Sequence, residues 1–154
     1  MPSDEEAFRR LLTELQLLEG TGEALQNRIN LVNAAATELA FASATLEGLE
    51  KERKGSLLLV PIGGGSFIKA EVATTETMVV GMGAGVSVEK PRSEAKQIVK
   101  KRIEELEKSR STLHQQLSQV LEQIQAHRQQ LDEISLRLAS RRQSGNVRKA
   151  EIGT

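Results

Sequence analysis

The run Ser56-Leu-Leu-Leu-Val60-Pro61-Ile62-Gly63-Gly64-Gly65-Ser66-Phe67-Ile68-Lys69-Ala70-Glu71-Val72 decides the fold, together with Thr77-Met78-Val79-Val80-Gly81-Met82-Gly83-Ala84-Gly85-Val86-Ser87-Val88-Glu89-Lys90. It is rich in Gly, Val, Thr and Met, and the helical period of its flanks stops at its borders. Four short β-type runs can be counted: Leu57 to Ile62, Phe67 to Val72, Thr77 to Met82 and Val86 to Glu89. The glycine triplet 63–65 and Gly83-Ala84-Gly85 are turn signals, so the simplest topology is two successive β-hairpins. Pro61 has no N–H for a ladder and belongs at an edge or a bulge. Two isolated hairpins are marginal in water, so their edges and apolar faces call for strands from other subunits.

Working outward on the N-terminal side, Ser3 and Glu6 form a capping box for a new helix. A 3,4 spacing then runs through Phe8, Leu11, Leu15, Leu18, Gly22, Leu25, Ile29, Val32, Ala36, Leu39, Ser43 and Leu46. With Phe8 as an a position, every d position is a large aliphatic over six heptads, a coiled-coil signature. Gly20-Thr21-Gly22 sits inside this run, either as a close-packing site or as a soft joint. Lys54-Gly55 reads as the helix stop, a cation in the last turn before a left-handed glycine cap.

On the C-terminal side, Pro91, Ser93 and Glu94 mark a second helix start. The spacing returns through Val99, Ile103, Leu106, Arg110, Leu113, Leu117, Val120, Ile124, His127, Leu131, Ile134 and Leu138. Arg110 is expected to pack its stem and send its charge to the rim. His127 reads as a packed or edge-solvated residue, since no Cys exists and His114 lies too far along the helix to share a metal. Reflection about residue 72 or 73 sets Leu46 beside Val99, Leu39 beside Leu106 and Leu11 beside Ile134. The expected fold class is therefore α+β, a long antiparallel coiled coil of about 60 Å with two β-hairpins at its base. The expected segments are helix 1–55, hub 56–90, helix 91–143 and a basic flexible tail 144–154. Past Leu138 the chain becomes basic and irregular, and Arg141, Arg142, Arg148 and Lys149 read either as a frayed, solvated end or as a contact for an acidic partner.

Composition narrows the function classes. Aromatics are 2% of 154 residues, three Phe and no Trp or Tyr, so a thick single core is not available. The apolar surface must lie along narrow seams that partner chains complete. Lys plus Arg and Asp plus Glu both number 21, which gives no general pull toward nucleic acid or anionic membrane. Zero cysteines exclude disulfides and thiolate metal sites, and the acidic start is unlike a signal peptide. No apolar run approaches the roughly 20 residues of a membrane span. Gly81-Met-Gly83-Ala-Gly85 is followed by a strand, whereas a phosphate-binding glycine loop must open a helix. A soluble, intracellular, non-enzymatic protein without a cofactor is expected.

Helix, two hairpins and an equal helix form an uncommon order, and the hub carries further detail. Val60-Pro61-Ile62-Gly63-Gly64-Gly65 and the run Met78 to Lys90 resemble the prefoldin family, archaeal alpha type. The sequence departs from the family at Val86 and Ser87, where aromatic residues are common. The resemblance implies that two copies join four beta-type subunits and that their hairpins form paired intersubunit β-barrels. It also implies a cytoplasmic, ATP-independent chaperone that captures non-native client proteins and hands them to a group II chaperonin. The assembly hub would then use Leu58, Val60, Ile68, Val72, Val80, Val86 and Val88. Client contacts fall at the outer end of the helix pair, on Phe8, Leu11, Leu12, Leu15, Ile134 and Leu138. If the last turns unwind, these side chains present an apolar patch worth about 25 cal/mol per Å² buried. Leu12, off the a/d seam, is the best placed for exposed contact. Two other classes compete: a homodimeric coiled-coil tether, and a nucleic-acid module on the basic tail whose binding would weaken with salt.

Overall fold

The computed structural model describes residues 3–153. The elements run α1 (Asp4–Leu49), β1 (Leu57–Gly63), β2 (Ser66–Glu71), β3 (Thr77–Gly83), β4 (Val86–Pro91) and α2 (Arg92–Ile152). Two compact units divide them. One joins the residues up to Leu31 with those from Ser111 onward, and the other is Val32–Arg110.

Helix α1 begins as its capping box dictates. The Ser3 N–H donates to Glu6 Oε2 at 3.0 Å, and the Glu6 N–H donates to Ser3 Oγ at 3.2 Å. Asp4, Glu5 and Glu6 place negative charge at the positive end of the helix dipole. The helix passes without a break through Gly20-Thr21-Gly22. Gly22 is buried, and a Cβ built there would meet Val120 at 3.6 Å, so its smallness admits the partner helix.

The helix stop differs from expectation. It falls at Leu49, not at Lys54-Gly55, and two tight turns follow, Lys51 N–H to Gly48 O and Glu52 N–H to Leu49 O. Gly55 does take a positive φ of 89°, but its N–H donates to Val72 O at 2.8 Å. The left-handed residue turns the chain into the hairpin, where its donor pairs with Val72 and not with a helix carbonyl.

The two hairpins form as the alternation predicts, β1 with β2 and β3 with β4, both antiparallel. Their registers repeat at an offset of twenty residues. Leu57 pairs with Glu71 as Thr77 pairs with Pro91, and Val60 with Ile68 as Val80 with Val88. The register shifts between Pro61 and Gly63 in one hairpin and between Gly81 and Gly83 in the other. Residues 63, 64 and 65 all have positive φ, and so do 83, 84 and 85. The hub is an internal duplication that residue identity conceals, because Pro61 answers to Gly81 and Lys69 to Glu89.

Strand β4 runs straight into α2, with the Arg92 N–H closing on Glu76 O at 2.8 Å. The irregular tail expected over 144–154 is replaced by helix as far as Ile152. The stretch after Leu138 keeps Arg, Gln, Lys, Ala and Glu and has no Pro, and one Gly145 costs only about 1 kcal/mol. Ser140 and Ser144 bond back to the carbonyls of Arg137 and Ser140 and do not interrupt the turns. The first two residues of the expected segment 1–55, and Thr154 of the tail, lie outside the described residues.

Each unit has its own seam. In Val32–Arg110, Leu46, Val80, Ala95 and Val99 form the buried cluster, flanked by Leu39, Ala42, Met78, Ile98 and Ile103. Leu46 thus joins Val99, the pairing that reflection about residue 72 or 73 sets. In the other unit Leu25, Ile29, Ile124, Leu131 and Ile134 are buried. No polar side chain is buried among the described residues. Ala84 alone among described non-glycine residues has a positive φ, 51°. Ala84→Gly should therefore raise stability by about 1 kcal/mol, read as a higher denaturant midpoint with unchanged slope.

Candidate functional site

Two regions hold the residues singled out in the sequence: the terminal end of the helix pair in the first unit, and the hairpins of the second. At the terminal end Asp4 draws two guanidiniums, Arg141 Nη1 at 2.9 Å and Arg137 Nη2 at 3.7 Å. Inward from them, His127 Nε2 lies 3.0 Å from Glu14 Oε2, and its Nδ1 lies 2.8 Å from Gln123 O. Arg10 donates to the other oxygen of Glu14 at 2.8 Å. The Arg10 hydrogen bond first, and the His127 contact second, hold the Glu14 carboxyl below the usual carboxylate range. Glu19 pairs with Arg128 at 2.8 Å. His127 is accordingly half-buried at the seam edge with a carboxylate partner. Among the described residues no group of three or more His, Asp or Glu could hold a metal.

The six terminal residues separate into three environments. Ile134 is 6% exposed and closes the seam, so in this conformation it offers no outward contact. Phe8, Leu11, Leu15 and Leu138 are half-buried. Leu12 is exposed, as its place off the seam implies. Phe8 and Leu138 line an open groove of about 430 Å³ with Glu5, Arg9, Ser135, Ala139 and Arg142. The groove exists because Ala139 is small and the seam here is made of half-buried side chains.

The hub residues also divide. Val60, Ile68, Val86 and Val88 are exposed and Leu58 is half-buried. Val72 and Val80 are buried within the chain itself, at 5% and 9%. Val80 packs on Leu46, Ala95 and Val99 of its own helices, so in this chain its side chain is largely covered. Sequence reasoning missed exposed Leu57, Leu59, Ile62, Phe67, Val79 and Met82. The registers put Leu58, Val60, Ile68 and Ala70 on one face of the first hairpin and Leu57, Leu59 and Phe67 on the other, so alternation separates the two sets without saying which is covered. So large an exposed apolar area on a monomer marks an interaction surface. At the root of the helices, Lys96 pairs with Glu50 at 2.6 Å, which holds the Glu50 carboxyl low. Arg110 sends its guanidinium to Glu107 on the helix surface, as expected of a seam cation.

Paired long helices that carry two short hairpins between them in sequence, with apolar strands left uncovered, define a class of coiled-coil subunit built for assembly. A family model for the prefoldin subunit matches residues 18–136, and the chain belongs to the prefoldin family. Prefoldin subunit alpha of Methanothrix thermoacetophila is 35% identical over 100 residues, 65% of this chain and 65% of that protein. Prefoldin subunit alpha 1 of Thermococcus kodakarensis is 32% identical over 105 residues, 68% of this chain and 72% of that one. The chain therefore spans about two thirds of the length of these relatives. Among solved structures, filamentous PFD from Methanocaldococcus jannaschii, determined by cryo-EM, superposes with a TM-score of 0.62 at 25% identity. That match covers 73% of this chain and 93% of the other. No described helix is long and apolar enough to cross a membrane.

Two outcomes follow from this geometry. Val80→Asp should destabilise the root by about 3 kcal/mol or more, through a buried unpaired charge, visible as a lower melting temperature of the chain alone. Ile62→Asp, at a position 62% exposed, should leave that melting temperature unchanged. The depressed Glu14 contributes stability that is present above its unfolded-state pKa and is lost as pH falls through the lower folded value. Glu14→Gln should flatten the loss of helicity on acidification below about pH 4.5, measured by circular dichroism.

Proposed function

We propose that this chain is the alpha subunit of a cytoplasmic, ATP-independent chaperone. In this reading it assembles with beta-type subunits, two alpha with four beta, through its hairpins. It holds non-native clients at the terminal ends of its helix pairs and passes them to a group II chaperonin. Family membership supports the chaperone class. The observation that carries the finer reading is the groove on Phe8 and Leu138 beside exposed Leu12, at helix ends with no tightly packed core. Apolar contact there needs no fixed partner shape, which suits clients that have none. Burial at about 25 cal/mol per Å² makes each contact weak, and several ends acting together supply avidity while letting a client leave stepwise. Exposed Ile62, Phe67, Val79 and Val86 support the assembly half, because a monomer has no cover for them.

The test is a complex of this chain with a beta-type partner carrying Phe8→Ser, Leu12→Ser and Leu138→Ser together. Its mass by native mass spectrometry should match wild type. Suppression of client aggregation by light scattering should require about five-fold more complex, the loss expected when several weak contacts fail at once. Undiminished protection would place capture elsewhere on the assembly.

A further inference from the structure

The terminal groove has a charge signature that capture of apolar surface does not require. Two adjoining grooves share Glu5, Leu138 and Arg142, the larger floored by Phe8, Leu138 and Ala139. Two arginines, Arg9 and Arg142, and one carboxylate residue, Glu5, also line it, all three exposed. Neither Arg9 nor Arg142 forms an ion pair with another described residue, whereas Arg137 and Arg141 are directed at Asp4 and Arg10 at Glu14. Arg148 and Lys149 follow on the same helix, both exposed. Residues 3–10 and 134–153 together carry seven Arg or Lys against four Asp or Glu, in a chain whose net charge is zero. Cations have been concentrated where the apolar floor lies open.

We propose that the groove selects apolar segments flanked by Asp or Glu over the same segments flanked by Lys or Arg. This rests on the capture reading and adds to it the class of client sequence. The volume of about 430 Å³ falls in the range of pockets that accept a few side chains. A Leu or Phe side chain settles on Phe8 and Leu138, and a neighbouring carboxylate meets the planar forks of Arg9 and Arg142, which suit it in pairs. Glu5 opposes this, but one carboxylate stands against two free guanidiniums. The rim is open to solvent, so each pair adds little by itself and salt screens it. The preference is graded, and it grows with the number of ends engaged.

Two fluorescein-labelled peptides test it, each about twelve residues with one shared Leu/Phe core, flanked by Asp in one and by Lys in the other. Anisotropy is measured on the complex assembled from the full chain and a beta-type partner. The Asp-flanked peptide should bind about five-fold tighter at low salt, and the gap should close near 0.5 M NaCl. Arg9→Gln with Arg142→Gln should abolish the gap and leave the affinity of the Lys-flanked peptide equal or higher. Equal affinities at low salt, or a gap that survives the double variant, overturn the charge preference and leave capture standing. Failure of both peptides to bind, with no protection of a whole client, overturns capture itself.

Discussion

The contact of Val80 with Leu46, Ala95 and Val99 joins sheet to helix, and the second unit is organised by it. Ala95 is fully buried, and its single methyl lets the strand come close to the helix axis. Larger side chains surround it, so the cluster is narrow and carries little spare apolar area. Elsewhere each unit is one seam deep, with ten buried apolar residues in all among those described. Ion pairs such as Lys96 with Glu50 lie at the surface and add modestly, since solvent screens them. On the proposed reading, a chain built this thinly depends on burial supplied by other chains.

The duplicated hairpin makes that dependence specific. Val60 and Val80 occupy the same position of the same module, yet one is 38% exposed and the other 9%. Chain connectivity is the cause. Strand β4 continues into α2 without a linker, which holds the second hairpin down on the helix. The first is separated from α1 by residues 50–56, where Gly55 and Ser56 pair with Val72. One copy of the module thus finishes the fold of its own chain. The other keeps its apolar face uncovered, where the proposed assembly would use it.

The terminal end balances closure against access. A capping box and the Asp4 pair with Arg141 and Arg137 close the helix start, while the apolar side chains beside them pack only half-way. Polar contacts at this end hold the backbone without covering Phe8 or Leu138. On the proposed reading that division of labour is what a grip for shapeless clients needs: fixed helix ends, and apolar surface at little cost in desolvating polar groups.

The helices, hairpins and turns were legible in the amino-acid order because each rests on local spacing. The 3,4 period marks a seam, alternation marks a strand, and Gly63-Gly64-Gly65 marks a turn that only positive φ can make. The tail, expected to be irregular, is helical to Ile152, because Arg, Gln, Lys, Ala and Glu favour the helix more than one glycine opposes it. Which apolar strand residues are covered could not be read at all. Leu57, Val60 and Val80 are alike as residues, and their burial depends on which helix surface the connections bring to each hairpin. The order of residues determined the elements and their pairing, whereas the tertiary structure alone decided which faces stay open, because burial belongs to the neighbours a side chain meets.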